Sequence, residues 1–305
     1  MPQLLGKALG STGYGLMGLT WRPNPQPIKE SIKAMKASIE AGEFYGTPEY
    51  NSLHLLNKYF TQYPEDASKV VLSVKGLLGY GGDIKRSVEY CLKLLDGKKS
   101  IDIFEPARLY GSTPLETTLG ALEEYVEAGK IGGIALSEVS AATIQRAVKI
   151  TKIVAVEVEL SLWSLDILNN GVAAVCAEHD ILVVAYSPIG RGMLTGEVQK
   201  LEDIPQGSYL GRSPRCQPGN FEKNLELVRK LQDIASKKGC TPAQLAISWV
   251  RHLSKKNGNP EIIPIPGATT PERIRENAKD VGLTSSELEA IDAVLKNFTV
   301  QGGRW

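Results

Sequence analysis

Ile181-Leu182-Val183-Val184-Ala185-Tyr186-Ser187-Pro188 is an unbroken apolar run that stops on polar residues. A strand with one solvated face alternates apolar and polar side chains; a strand covered on both faces does not. The stretch therefore reads as an interior strand of a parallel sheet, left by the chain at Tyr186-Ser187-Pro188. Runs of the same kind flank it: Val70-Val71-Leu72-Ser73-Val74, Ile101-Asp102-Ile103-Phe104, Ile131-Gly132-Gly133-Ile134-Ala135-Leu136, Ile153-Val154-Ala155-Val156 and Ile262-Ile263-Pro264-Ile265. Amphipathic helices fall between them. Ile28, Ile32, Met35 and Ile39 keep helical spacing, as do Leu115, Leu119, Leu122 and Val126. Thr113-Pro114-Leu115-Glu116 reads as a capping box with Pro at the first helical position. Thr241-Pro242-Ala243-Gln244 repeats that design, and Thr284-Ser285-Ser286-Glu287 opens a last helix.

Strands alternating with helices imply a parallel sheet, and two closures compete. An open dinucleotide-binding sheet places GxGxxG after its first strand. Here the first strand region, Gly13-Tyr14-Gly15-Leu16-Met17-Gly18-Leu19, runs into Thr20-Trp21 with no Gly-rich loop opening a helix. About eight strand–helix units favour a (β/α)8 TIM barrel. The chain shows no internal sequence repeat, and no Pro/Gly/Ser-rich linker divides it, so residues 1–305 are expected to form a single barrel domain. Arg22-Pro23-Asn24-Pro25-Gln26-Pro27 is a short rigid loop. The polar stretch from Glu197 to Gly219 is long enough in a compact domain to suggest a functional loop.

The 305 residues carry a formal net charge of +1, which argues against a nucleic-acid partner. The N-terminus lacks the apolar core and cleavage site of a secretory leader, and no run reaches the roughly 20 apolar residues of a spanning helix. Cys91, Cys176, Cys216 and Cys240 stand far apart, and His54, His179 and His252 have no metal spacing, so reduced thiols and no metal are expected. The expected setting is cytoplasmic, away from membranes.

Active sites of barrels gather where strands end and loops begin. The residues at those positions are Lys75, Arg108, Ser137-Glu138, Glu157 and Glu159, Tyr186-Ser187-Pro188 and Pro266-Gly267-Ala268-Thr269-Thr270, with Tyr45 in Glu43-Phe44-Tyr45-Gly46. Each alone is as well explained by packing or solvation. Their joint placement at successive strand ends lifts them above that.

The ordered set resembles the aldo-keto reductase family. Tyr45-Gly46, Ser73-Val74-Lys75-Gly76 and Tyr186-Ser187-Pro188-Ile189-Gly190-Arg191-Gly192 look like its signatures, and Ile263-Pro264-Ile265-Pro266-Gly267 with Thr270-Pro271-Glu272-Arg273-Ile274-Arg275-Glu276-Asn277 looks like its C-terminal cofactor signature. Gly15-Leu16-Met17-Gly18-Leu19-Thr20-Trp21-Arg22-Pro23 and Asp102-Ile103-Phe104-Glu105-Pro106-Ala107-Arg108 resemble the fungal pyridoxal reductases in particular. The resemblance implies NADPH-dependent reduction of a small aldehyde, with pyridoxal the first candidate, by a monomeric enzyme. Tyr45 would be the general acid and Lys75 the cation that lowers its pKa. Arg108 would help polarise the carbonyl. Tyr186 would stack on the nicotinamide, with Ser137 and Glu157 reaching its carboxamide. Ser187, Ile189, Arg191 and Gly192 would line the pyrophosphate groove. Arg273 with Thr269 would hold the 2′-phosphate, and Asn277 would reach the adenine. Thr20, Trp21, Glu138, Gly267 and Glu276 are further implied cofactor positions.

Two positions depart from the family. Ala107 stands where members commonly place a His, and Glu40 stands where they place the Asp bonded to the Lys. Only Glu43 and Phe44 separate Gly42, a helix stop, from Tyr45, so the second strand is expected to be shortened or missing, as in an internally deleted form. A nicotinamide-binding regulatory or redox-sensing protein with little turnover is the alternative. A barrel enzyme of unrelated chemistry is a third reading.

Overall fold

Among the described residues, six parallel strands form one sheet whose spatial order is their order in the chain. They follow a two-stranded antiparallel hairpin, β1 (Gln3–Leu4) and β2 (Lys7–Ala8). The six are β3 (Ser73–Gly76), β4 (Ile103–Pro106), β5 (Ile134–Ser137), β6 (Ile153–Glu159), β7 (Leu182–Tyr186) and β8 (Ile262–Ile265). A doubly wound sheet reverses its order at a switch point. This one does not, and each strand pairs with its successor, as in a barrel. Beyond β8 the sheet continues into the N-terminal segment: Gly13 donates to the Pro264 carbonyl at 2.8 Å, and Gly15 bridges Gly267 in parallel. A Cβ at Gly15 would stand 3.2 Å from the Ile265 carbonyl oxygen, so glycine permits that close approach. The computed structural model describes residues 2–20, 25–37, 51–76, 83–109 and 113–304. The stretch expected to hold the second strand lies outside them, as do Glu40, Tyr45 and Trp21.

The helices are α1 (Met17–Thr20), α2 (Ile28–Ala37), α3 (Ser52–Gln62), α4 (Ile84–Leu95), α5 (Leu115–Glu127), α6 (Ala141–Ala147), α7 (Asp166–Asn169), α8 (Val172–Glu178), α9 (Phe221–Lys238), α10 (Pro242–Leu253), α11 (Pro271–Ala278) and α12 (Ser285–Lys296). Their apolar stripes, such as Leu115, Leu119 and Leu122 of α5, are buried in a large core with one face of the sheet. A smaller cluster of Leu4, Ile103, Ala135, Val154, Ala155, Leu182 and Ile263 fills the other. Its Leu4 comes from the hairpin, whose Leu5-Gly6 turn has both residues at positive φ, 52° and 75°. Lys7 from that hairpin reaches Asp102 at 2.6 Å, where the chain enters β4. The Lys99 ammonium binds the other Asp102 oxygen, which also accepts the Leu72 N–H at 2.8 Å.

Several local expectations need correction. Most strands sit one to three residues later than the apolar runs suggest; β4 starts at Ile103, while Ile101 makes only an isolated bridge to Ile131. The first strand region ends near Gly15, and Met17–Thr20 is one helical turn. Thr113 forms no capping box. Pro114, at ψ 143°, is the N-cap of α5 without a side-chain cap bond, and Glu116 instead pairs with Arg146 at 2.8 Å. Thr241 and Thr284 do form reciprocal capping boxes. The stretch after β7 is built of short 3-10 turns at Gly190–Thr195, Leu201–Asp203, Leu210–Arg212 and Pro214–Cys216. Among the described residues, no helix is long and apolar enough to cross a membrane.

Candidate active site

Strand register assembles the site. Lys75 of β3 lies opposite Glu105 of β4, Ser137 of β5 opposite Glu157 of β6, and Glu159 opposite Tyr186 of β7. Residues two apart point to one face, which brings Glu157 and Glu159 to the same side. Lys75, at 6% exposure, has its ammonium on the Glu157 carboxylate and 3.4 Å from Glu105 Oε1. Both acids are as deeply buried. The same ammonium lies 5.7 Å from the centre of the Tyr186 ring.

A second group is linked through Tyr186. Its hydroxyl donates to Glu138 Oε1 at 2.8 Å, and the Glu159 backbone N–H donates to the same oxygen at 2.9 Å. Arg304, near the C-terminus, places its guanidinium on Glu138 and lies 4.0 Å from Glu159. Glu159 also binds Arg191 at 3.2 Å and accepts from the Ser164 hydroxyl. Burial opposes ionisation of Glu138. The Arg304 guanidinium, the Glu159 N–H and the Tyr186 hydroxyl outweigh it and hold the carboxyl below its ordinary range. Burial first, then the charges of Glu138 and Glu159, push the Tyr186 phenol well above its ordinary pKa. Tyr186 therefore stays neutral at physiological pH, as a ring that stacks and does not exchange protons requires. Arg215, 9% exposed, donates to the Trp163 carbonyl and the Ser164 hydroxyl at 2.8 Å.

The remaining sequence candidates divide by position. Arg108 reaches the site, donating to Ser137 Oγ at 3.4 Å and to the Ala107 carbonyl at 2.6 Å. Ala107 is buried where the family's His was expected. Ser187, Gly190, Arg191 and Gly192 all have positive φ, and Ile189 leads into that turn. At Gly192 nothing lies within 4 Å of where a Cβ would stand, so this backbone borders open space. Arg191 lays its guanidinium 3.9 Å over the Tyr209 ring. Thr20 is buried at the end of α1, and Thr269 lies 3.6 Å from where a Gly18 Cβ would stand. Gly267 is the bridge partner of Gly15. Thr270 caps α11, whose first turn carries Arg273, and that half-exposed guanidinium pairs with Glu197 of the long loop. Glu276 and Asn277 follow on α11; Asn277 is buried, and its carbonyl accepts from Arg251 at 2.8 Å. Glu157 meets Lys75, a partner the family resemblance did not imply for it. Sequence reading missed Arg304, Arg215 and Glu197, whose partners lie far off in the chain.

The donor set suits a reduced nicotinamide dinucleotide. The Tyr186 ring ends β7, and the Ser137 hydroxyl, with the Arg108 guanidinium on it, ends β5. At α11, the exposed Arg273 and the helix N-terminus offer an anion its partners. Such an arrangement, on a singly wound parallel sheet, is that of a barrel oxidoreductase.

The chain belongs to the aldo/keto reductase family, whose sequence profile matches residues 12–296. Members act on small carbonyl substrates and generally use NAD(P)H. The chain is 39% identical to "Probable pyridoxal reductase 2" of Schizosaccharomyces pombe, over all of this chain and 97% of the relative. That alignment runs to 327 positions against 305 residues, so the relative carries residues with no counterpart here. Aldo-keto reductase yakc of the same organism, whose name carries NADP(+), is 40% identical over 96% of this chain and 90% of its own. The fold matches that of the glycerol dehydrogenase AKR11B4 from Gluconobacter oxydans with a TM-score of 0.81, at 19% identity, covering 97% of this chain and 94% of that one.

Proposed function

We propose that this protein reduces pyridoxal to pyridoxine with NADPH, as a monomeric, single-domain cytoplasmic enzyme. The observation that carries the reading is the buried Lys75 ammonium of β3 beside the ring of Tyr186 at the end of β7, in a chain of this family. The relative named as a pyridoxal reductase supports the substrate, and the NADP(+) in the name of the other supports the cofactor. NADPH, when bound, supplies the hydride. Tyr45 donates the proton to the carbonyl oxygen, and Lys75 favours the phenolate that remains. Tyr186 orients the nicotinamide face and Ser137 its carboxamide. Arg108 polarises the carbonyl. Arg273 selects the 2′-phosphate through its planar fork.

NADPH consumption followed optically, with pyridoxal present and absent, tests this. Pyridoxal-dependent oxidation that disappears in Tyr45→Phe supports it; a normally active Tyr45→Phe variant sinks the acid role. Ala107 at the His position favours the second reading, a nicotinamide-binding regulatory protein. Tryptophan fluorescence that NADPH quenches, in a sample that consumes none with pyridoxal, selects that reading.

A further inference from the structure

We propose that Glu157 is a positioning residue: with Glu105 it anchors the Lys75 ammonium, and it does not contact the cofactor carboxamide. The inference rests on the reading of Lys75 as the cation serving the proton donor. Lys75 extends from β3, and its ammonium is held between a carboxylate on β4 and one on β6. All three side chains are at least nine-tenths buried. Two anchors on different strands fix the nitrogen in a way one flexible four-carbon stem cannot.

Energetics decide between the two roles for Glu157. Without the Glu157 charge the buried ammonium would keep only the more distant Glu105, at 3.4 Å, and weakening a buried ion pair is destabilising. Turning the Glu157 carboxylate to a neutral carboxamide would exchange an ion pair for one ordinary hydrogen bond. The carboxamide has another partner in reach of the same register, since Ser137 lies directly opposite Glu157. A glutamine at 157 would serve a carboxamide at least as well as glutamate does. It could not neutralise an ammonium. The two roles therefore make opposite demands on Glu157→Gln.

The test compares Glu157→Gln, Glu157→Asp, Lys75→Met and Lys75→Met/Glu157→Gln with the unaltered protein. Three quantities are read: NADPH dissociation constant by fluorescence quenching, pyridoxal-dependent turnover at saturating NADPH, and melting temperature. An anchor predicts that Glu157→Gln binds NADPH within about twofold but turns over about 100-fold more slowly. Glu157→Asp recovers part of that rate. Each single variant melts roughly 5–10 °C lower, and the double variant loses less than the sum of the single losses, with Glu105 left buried without its ammonium. A Glu157→Gln variant with NADPH affinity weakened about tenfold and turnover intact would overturn the proposal in favour of a carboxamide contact. So would melting losses that simply add in the double variant. Should the unaltered protein consume no NADPH with pyridoxal, the catalytic reading fails by itself, and the melting cycle alone decides whether Glu157 anchors Lys75.

Discussion

Among the described residues, two clusters join a buried lysine to a buried carboxylate, and they are built on opposite plans. Where the chain enters β4, one acid, Asp102, serves two ammonium groups, Lys7 and Lys99, and accepts a backbone N–H as well. Further along the strands, one ammonium, Lys75, is shared by two acids, Glu105 and Glu157. The first arrangement ties three segments together: the hairpin, the turn before β4 and the chain entering β3. Its charges lie at the N-terminal ends of the strands, the end that Leu4 of the hairpin closes. The second has its nitrogen within reach of an aromatic face and of strand ends that border open space. Buried ion pairs are not in themselves evidence of chemistry. The difference lies in what stands next to the cation.

The largest effect expected from breaking this comparison is on stability at the closed end. Asp102→Asn strands the buried Lys99 ammonium and should cost about 3 kcal/mol of unfolding free energy in a urea melt. NADPH affinity of the folded fraction should stay unchanged. The same cluster gives a pH signature. Burial opposes ionisation of Asp102, but the Leu72 N–H and the Lys7 and Lys99 ammonium groups prevail and lower its pKa from the ordinary 3.8. Its contribution is therefore fully present above about pH 4 and is lost as pH falls through the depressed folded value. The acid limb of the stability curve should flatten in Asp102→Asn.

A smaller effect, on binding, is expected at the open end. Arg304→Ala leaves the Glu138 carboxylate beside the Tyr186 hydroxyl without its guanidinium. NADPH affinity should fall about tenfold, or roughly 1.4 kcal/mol, measured by fluorescence quenching. An affinity within twofold of the unaltered protein would remove Arg304 from the cofactor end of the site. The smallest effects separate the two look-alike caps. Thr241→Ala should cost about 1 kcal/mol in thermal unfolding, because its side chain caps the Gln244 N–H. Thr113→Ala should cost under about 0.5 kcal/mol, because no cap bond is lost.

Those caps also mark the limit of what the sequence discloses. The β-branched runs revealed the strands of the sheet because burial on both faces is a local compositional demand. Their ends shifted toward the polar residues because register with the neighbour, not composition, sets where pairing stops. Thr241-Pro242-Ala243-Gln244 and Thr113-Pro114-Leu115-Glu116 are equivalent patterns, yet in the second Glu116 is taken by Arg146 from another helix. The placement of Lys75, Tyr186 and Ser137 near strand ends was legible, because each closes or nearly closes an apolar run. What each of them touches was not. Glu157 lies 82 residues from Lys75, and Arg304 lies 166 residues from Glu138, and no local pattern encodes such pairs.

The strand order carries a consequence for how the chain reaches this state. From β3 to β7 every parallel pairing joins neighbouring units, so each can zip onto its predecessor over a modest loop. The pairing of Gly13 with Pro264 of β8, and of Gly15 with Pro266 and Gly267 just after it, is of another kind, because it joins the first part of the barrel to its last strand. During synthesis that contact has to wait until β8 and the residues just after it have been made. The glycine-lined N-terminal segment is thus the first part of the barrel to be synthesised and among the last to find its place.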